Sequence, residues 1–212
     1  MVLEGIDGAG TTTQADRYAA YLRSRGRRVH ITREPTHGPI GSLIRHVLKH
    51  RISLKEGTRA QAMALLFAAD RLDHVEHEIT PMIESGYVVI SDRYDLSSLA
   101  YQSVTSSKDE ARRAEAVAWI RALNRYARRP DITLVLDVSP ATSAERRRAR
   151  SIETELFDDS ALQAELASAY MRAELLVPGD RVVHLDGEAS PTSVMQSIAD
   201  VVDPLLDLDS AN

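Results

Sequence analysis

The sequence contains no cysteine, and this absence excludes disulfide bonds and thiolate-bound metal ions. No apolar run is as long as a membrane-spanning helix, so we expect no membrane partner. A long basic run is also missing and the formal net charge is −5, which argues against a nucleic-acid polymer as a partner. No signal peptide is apparent, because the first residues form a short apolar run that predicts a strand. Together these features predict a cytoplasmic protein.

The length and composition of the chain are typical of one globular domain. The chain has 212 residues, 43% of them hydrophobic and 27% charged, which is enough for a substantial core. Short apolar segments predict five strands, over residues 1–3, 29–32, 87–90, 132–138 and 181–185. Helical spacing is found between them, over residues 11–25, 40–48, 56–84, 97–104, 110–126, 141–150, 161–176 and 193–206. We predict a single α/β domain over residues 1–212, a five-stranded parallel sheet with helices on both faces.

Ligands of such sheets bind beyond the C-terminal ends of the strands. We therefore expect the functional site at residues 5–13, at residues 33–37, at residues 92–94 and in the segment after Asp137. These four places also hold most of the unusual polar residues of the chain, so two independent arguments select them.

The first of these places has the sequence E-G-I-D-G-A-G-T-T-T-Q, from Glu4 to Gln14. A glycine-rich loop between a strand and a helix predicts a phosphate cradle, because its backbone N–H groups can point at an anion and the helix N-terminus adds partial positive charge. The phosphate-loop pattern is G-x-x-x-x-G-K-S/T. Gly5, Gly10 and Thr12 match it, whereas Thr11 stands where the pattern has lysine.

Phosphoryl transfer needs positioned phosphates, Mg²⁺ and positive charge over the transferred group. The Thr12 hydroxyl and Asp92, at a strand end, are the predicted metal ligands. Arg93 is suited to hold an anionic substrate through two hydrogen bonds. Asp7 lies inside the glycine loop, where a carboxylate near phosphates is electrostatically unfavourable. A contact with a sugar hydroxyl would explain its presence there.

Two further groups of residues allow more than one interpretation. Phe67 and Arg71 share a helix face and would suit a nucleobase pocket, although a core residue beside a solvated charge is commoner at this spacing. The basic cluster at residues 146–150 precedes a segment without clear periodicity. It is either a solvated helix end or part of a lid that brings positive charge onto the phosphates. The lid would span roughly residues 147–158.

Five motifs in order resemble the thymidylate kinase family of P-loop nucleoside monophosphate kinases. They are the glycine loop, T-R-E-P at residues 32–35, L-F-A-A-D-R at 66–71, D-R-Y-x-x-S-S-x-A-Y-Q at 92–102, and P-D-I-T-L-V-L-D-V at 130–138. The similarity extends over essentially the whole chain. It implies the P-loop NTPase fold, a homodimer, and transfer of the γ-phosphoryl group of Mg-ATP to dTMP, giving dTDP.

The resemblance also implies roles for individual residues. The ATP-binding residues would be Gly5, Ile6, Asp7, Gly8, Ala9, Gly10, Thr11, Thr12, Thr13 and Arg146. The dTMP-binding residues would be Arg33, Glu34, His37, Phe67, Arg71, Arg93, Ser98, Tyr101 and Gln102, with the ring of Phe67 stacked on thymine and Tyr101 crowding the sugar 2′ position. The catalytic residues would be Asp7, Asp92, Arg93 and Arg150, with Mg²⁺ held near Thr12 and Asp92.

The sequence departs from the family in three places. Thr11 replaces the lysine, Thr36-His37-Gly38 replaces Gly-Gly-Thr, and residues 152–156 lack the arginine of an Asp-Arg-Phe-Glu-like lid stretch. The first hypothesis is an active thymidylate kinase in which another cation substitutes, the candidates being Arg17, Arg147, Arg148 and Arg150. The alternatives are a catalytically impaired nucleotide-binding or regulatory protein, and a kinase of another nucleoside monophosphate, which His37 leaves open.

Overall fold

The computed structural model of the chain describes residues 1–149 and 159–208. Its sheet has five strands: β1 Val2–Glu4, β2 Val29–Arg33, β3 Val88–Asp92, β4 Thr133–Asp137 and β5 Val182–Asp186. All neighbouring strands are parallel, in the order β2-β3-β1-β4-β5. The predicted five-stranded parallel sheet is confirmed, with small shifts at the strand ends.

Ten α-helices surround the sheet within the described residues: α1 Thr11–Ser24, α2 Pro39–Leu48, α3 Arg59–His74, α4 Thr80–Glu84, α5 Asp95–Ser106, α6 Glu110–Leu123, α7 Pro140–Ala149, α8 Ser160–Tyr170, α9 Ala173–Leu176 and α10 Pro191–Leu208. The predicted helical stretch over 56–84 is not one regular helix. It begins as a 3₁₀ turn, Glu56–Thr58, and contains a π-helical segment, Val75–Ile79, between α3 and α4. The predicted helix over 161–176 is likewise divided, into α8 and α9.

The central strand shows how the core is arranged. Successive side chains of β1 point to opposite faces of the sheet, and Val2, Leu3 and Glu4 are all buried. The sheet is therefore covered on both faces, as expected for an all-parallel sheet. On one side α1 packs against α10, and elsewhere α5 packs against α3, α6 and α8. Among the described residues, no helix has both the length and the apolar character needed to cross a membrane.

Strand register brings the predicted site segments to one edge. Asp92, the last residue of β3, pairs with Leu3 on one side and with Arg33 on the other. Asp137 ends β4 beside Asp186 of β5. The glycine loop and the segments after β2, β3 and β4 thus leave the sheet at the same edge, as the sequence predicts.

Candidate active site

The glycine loop connects β1 to α1 and has the shape of an anion cradle. Gly8 and Gly10 have φ angles of 89° and 99°, which side chains rarely allow. A Cβ atom on Gly5 would lie 2.8 Å from the Ala9 Cβ, so the loop also needs glycine for space. Gly10 precedes the first turn of α1, and no side chain caps that turn. The N–H groups of this turn are therefore suited to bind phosphate, so residues 5–13, which the sequence predicts to bind ATP, fit the phosphates of ATP.

Thr12 and Asp92 meet beside this cradle. The Thr12 hydroxyl donates a hydrogen bond to Asp92 Oδ2, while Asp92 Oδ1 is buried without a hydrogen-bond partner. Within the described part of the chain, no group of three or more His, Asp or Glu side chains is arranged to hold a metal ion. Mg²⁺ commonly takes one or two protein oxygens and completes its shell with water and phosphate. The two predicted ligands therefore fit Mg²⁺.

Arg93 joins the phosphate loop to the acceptor side of the site. Its Nη2 atom donates to Asp7 Oδ1 at 2.6 Å, and Nη1 donates to the Gly5 carbonyl, the Ser97 hydroxyl and the Tyr170 hydroxyl at 3.0, 3.0 and 3.2 Å. Its φ angle is 72°, a left-handed conformation that is uncommon for a residue other than glycine. Such backbone geometry is concentrated at functional sites, and here the guanidinium contacts the loop.

A buried carboxyl, Glu4, lies beneath Arg93. It accepts hydrogen bonds from the Tyr94 N–H at 2.8 Å, the Ser97 hydroxyl at 2.6 Å and the Tyr170 hydroxyl at 3.1 Å. Burial raises the pKa of Glu4 to about 7, against the opposing effects of the Arg93 charge and these hydrogen bonds. Glu4 thus supports the residues that hold Arg93, and its carboxyl gains or loses a proton near neutral pH.

A cavity of about 140 Å³ opens beside Asp7 and Arg93. Six of the predicted dTMP-binding residues line it: Glu34, Phe67, Arg93, Ser98, Tyr101 and Gln102. The Oε1 atom of Gln102 is buried without a hydrogen-bond partner, and a buried polar atom of this kind is suited to a ligand. Apolar surface with a few polar groups is typical of a small-molecule site.

Arg71 lies under this cavity and does not line it. Its Nη2 atom donates to Glu34 Oε2 at 2.5 Å and to the Ser98 hydroxyl at 3.2 Å, and Nη1 donates to Asn124 Oδ1 at 2.6 Å. Arg71 Nε is buried without a partner. Through Glu34 and Ser98 the guanidinium touches two residues that line the cavity, and its direct contact with a base stays a prediction.

Arg33 and His37 are not brought to the cavity. Both are exposed, and they line a neighbouring groove of about 770 Å³ together with Asp16, Asp73 and His77. Their assignment to dTMP binding stays a prediction.

Arg146 contacts the phosphate loop from α7. Its Nη1 atom donates to the carbonyl oxygens of Ala9 and Gly187, at 3.3 and 3.0 Å. It thereby ties the loop to the segment after β5. Arg150 and most of the predicted lid, residues 150–158, lie outside the described residues.

Arg147, the next residue of α7, reaches the same loop from a different angle. Its Nη1 atom donates to the Asp7 carbonyl at 3.0 Å and to the Ser143 hydroxyl at 2.6 Å. Two other cations considered as substitutes for lysine, Arg17 and Arg148, are exposed. Of these three, Arg147 is the one with a hydrogen bond to the phosphate loop.

Sequence reasoning missed several residues of the site. Glu4 and Ser97 lie inside quoted motifs, and a charge in a buried strand just before the glycine loop was a usable signal for Glu4. Tyr170 and Ser143 lie in helices without a motif, and their contacts with Ser97 and Asp7 span many residues of sequence. Nothing local in the sequence identifies them.

Comparisons with known proteins point to one family. A family model described as thymidylate kinase matches residues 3–198. The chain is 39% identical over 188 residues to a probable thymidylate kinase of Thermococcus kodakarensis, covering 87% of this chain and 88% of that protein. It is 42% identical over 188 residues to a probable thymidylate kinase of Thermococcus gammatolerans, covering 87% and 86%. A probable thymidylate kinase of Pyrococcus horikoshii is 38% identical over 186 residues, covering 87% and 86%.

Proposed function

Because this chain belongs to the thymidylate kinase family of phosphotransferases, we propose that it transfers the γ-phosphoryl group of Mg-ATP to dTMP, giving dTDP. The observation that carries this proposal is the ion pair between Arg93 and Asp7, 2.6 Å long. Asp7 belongs to the phosphate loop, and both residues line the cavity. The donor and acceptor sites therefore share a wall, as transfer between two bound nucleotides requires.

On the donor side, the loop N–H groups bind the ATP phosphates and position the γ-phosphoryl group. Thr12 and Asp92 hold the magnesium ion, which neutralises charge on the phosphate oxygens when bound. Supporting this assignment, Asp92 Oδ1 is buried and has no hydrogen-bond partner. Arg146, which bonds to Ala9 in the loop, contacts the adenine end of ATP.

On the acceptor side, the ring of Phe67 stacks on thymine and the polar groups of Ser98 and Gln102 bind its edge. Arg93 holds the dTMP phosphate near the loop. The Tyr101 ring lies beside Arg93, with 5.3 Å between its centroid and Arg93 Cζ, and it disfavours a sugar with a 2′-hydroxyl. Arg33, His37 and Arg71 are proposed to complete the site when dTMP is bound.

We also propose that the protein is a cytoplasmic homodimer and that residues 1–212 form one domain, with a lid over residues of about 147–158. The dimer is supported by the family and by large apolar side chains that α3 and α6 expose. Leu65, Leu72 and Trp119 are 52, 41 and 38% exposed, and such groups are enriched at interfaces between subunits.

The unusual phosphate loop makes the activity itself worth testing. A coupled assay with Mg-ATP and a panel of nucleoside monophosphates should show the highest kcat/KM for dTMP, and Asp92→Asn should lose about 10² or more of that activity. Preference for another monophosphate would favour a different kinase. Saturable ATP and dTMP binding without product would favour the nucleotide-binding or regulatory alternative, which the neutral side chain of Thr11 keeps open.

A further inference from the structure

The phosphate loop carries no positive charge of its own. Residues 4–14 include two carboxylates, Glu4 and Asp7, and no lysine or arginine. The side chain at the lysine position, Thr11, is neutral and the residue is 7% exposed. Any protein cation that contacts a polyphosphate in the loop must therefore come from another part of the chain.

Three arginines of the described chain donate hydrogen bonds to the loop, and each reaches it at a different point. Arg93 lies on the cavity side and is paired with the Asp7 carboxylate. Arg146 donates to two backbone carbonyls, those of Ala9 and Gly187. Arg147 is the third, and it bonds to the Asp7 carbonyl near the middle of the loop.

Gly8 explains why α7 can bring an arginine so close. A Cβ atom on Gly8 would lie 2.7 Å from the Ser143 carbonyl oxygen and 3.3 Å from Arg147 Cγ. The helix backbone and the aliphatic stem of Arg147 thus rest directly on the loop backbone. A side chain at Gly8 would push both away.

Ser143 fixes the direction of the arginine. It lies one helical turn before Arg147 and is fully buried. Its hydroxyl donates to the Asp7 carbonyl at 2.6 Å and accepts from Arg147 Nη1 at 2.6 Å. The loop carbonyl, the hydroxyl and the guanidinium form one junction, whereas the neighbouring Arg148 is exposed, since adjacent helix positions point in different directions.

We propose that Arg147 supplies to the ATP phosphates the positive charge that lysine supplies in G-x-x-x-x-G-K loops, with Ser143 as its positioning residue. This inference rests on the proposed function, because it assigns a residue to the same ATP site. A guanidinium offers several donors to phosphate oxygens and stays charged at all relevant pH values. It can therefore replace an ammonium group from a different position in the fold.

The test removes the charge of Arg147 and restores a positive charge at position 11, where the phosphate-loop pattern has lysine. Mg-ATP binding is measured by isothermal titration calorimetry for the wild type, Arg147→Ala, Arg147→Lys, Thr11→Lys and the double variant Thr11→Lys/Arg147→Ala. We expect Arg147→Ala to weaken ATP binding about tenfold or more and to lower kcat about 10²-fold. Arg147→Lys should retain most of the binding, and the double variant should recover to within about threefold of Thr11→Lys. Arg172→Ala, which removes the same charge from an exposed position between α8 and α9, is the control and should change binding less than about twofold.

The proposal is overturned if Arg147→Ala binds Mg-ATP like the wild type. It is also overturned if the double variant has the same melting temperature as Arg147→Ala and binds Mg-ATP no better. Arg147→Lys is an independent test, because it keeps the charge without a change in the loop. If the wild type binds Mg-ATP but phosphorylates no monophosphate, the proposed function fails while the binding comparison still decides the role of Arg147.

Discussion

Glu4 is the residue whose ionisation the fold alters in a testable way. Burial raises its pKa from the ordinary value of 4.5 to about 7. Between these two pH values the native state binds more protons than the unfolded state, so stability falls as pH rises through this window. A tenfold change in proton affinity corresponds to about 1.4 kcal/mol. The free energy of unfolding therefore falls by about 3 kcal/mol at most as pH rises from 4.5 to 7.

We therefore expect Glu4→Gln to remove this part of the pH dependence. The free energy of urea unfolding is measured at pH 4.5, 6 and 7.5 for the wild type and the variant. The difference between them should change by up to about 3 kcal/mol across the range, in the direction that makes the wild type relatively less stable at pH 7.5. Glu84→Gln, at an exposed position, is the control. Parallel pH profiles for wild type and Glu4→Gln would contradict the expectation.

Phe67 gives a prediction for the acceptor side. Because base–aromatic stacking contributes about 1–3 kcal/mol, Phe67→Leu should raise the KM for dTMP roughly tenfold while the KM for ATP stays within about twofold. The measurement is steady-state kinetics with each substrate varied in turn. Leu175→Ala, at a 72% exposed position on α9, should leave both constants near the wild-type values. Equal changes in the two KM values would mean that Phe67 supports the fold and not the base.

At the same scale, the sequence predicts which side chains share a face where helical periodicity decides which way they point. Phe67, Ser98 and Gln102 reach the cavity from helical segments whose periodicity is visible in the sequence. Arg33 and Glu34 are neighbours in one motif, yet Glu34 is buried at the cavity and Arg33 is exposed. Successive residues of an extended chain point to opposite sides, and a motif does not specify which side faces the ligand.

At the scale of elements, the contact of α7 with the phosphate loop depends on Gly8. Gly8→Ala introduces a Cβ atom 2.7 Å from the Ser143 carbonyl oxygen at a φ angle of 89°. Gly86 has a similar φ angle, 78°, with nothing within 4 Å of such a Cβ atom. Both substitutions carry the backbone cost of about 1 kcal/mol, but only Gly8→Ala displaces α7.

We thus expect Gly8→Ala to weaken Mg-ATP binding about tenfold or more, and Gly86→Ala to lower the melting temperature without changing ATP binding. Calorimetric titration and thermal unfolding of both variants distinguish the two effects. Equal ATP binding by the two alanine variants would show that the loop tolerates movement of α7.

Helix boundaries illustrate what the sequence leaves open at this scale. Residues 161–176 have continuous helical spacing, but the structure turns after Tyr170 and begins again at Ala173. Both of these residues are buried. The interruption of the helix therefore allows both side chains to pack into a core that other elements form. Residues 56–84 are divided in the same way by a π-helical segment. Tertiary packing, which local spacing does not encode, decides both interruptions.

At the scale of the whole molecule, Asp203 of α10 ties the last described helix to α1. It accepts hydrogen bonds from the hydroxyl groups of Tyr18 and Tyr21, at 2.9 and 2.5 Å, and from Arg25 at 2.8 Å. Asp203→Ala leaves the Tyr18 hydroxyl without this acceptor, and such a loss costs about 1–3 kcal/mol. Urea unfolding should show a loss of this size, whereas Asp200→Ala, at an exposed position on the same helix, should change stability by less than about 0.5 kcal/mol. A smaller effect at Asp203 than at Asp200 would mean that apolar packing alone joins the two helices.

The contact between α1 and α10 affects when the phosphate loop can take its shape during synthesis. Tyr18 and Asp203 are 185 residues apart, and β1 pairs with β3 and β4, which are translated much later. A ribosome therefore synthesises the phosphate loop before β3, β4 and α10, which hold it in shape. Contacts of such long range are slow to form, and a nascent chain that stops before α10 has the loop without its support. The ability to bind nucleotide is therefore acquired only after α10 has been made, long after the residues of the loop have left the ribosome.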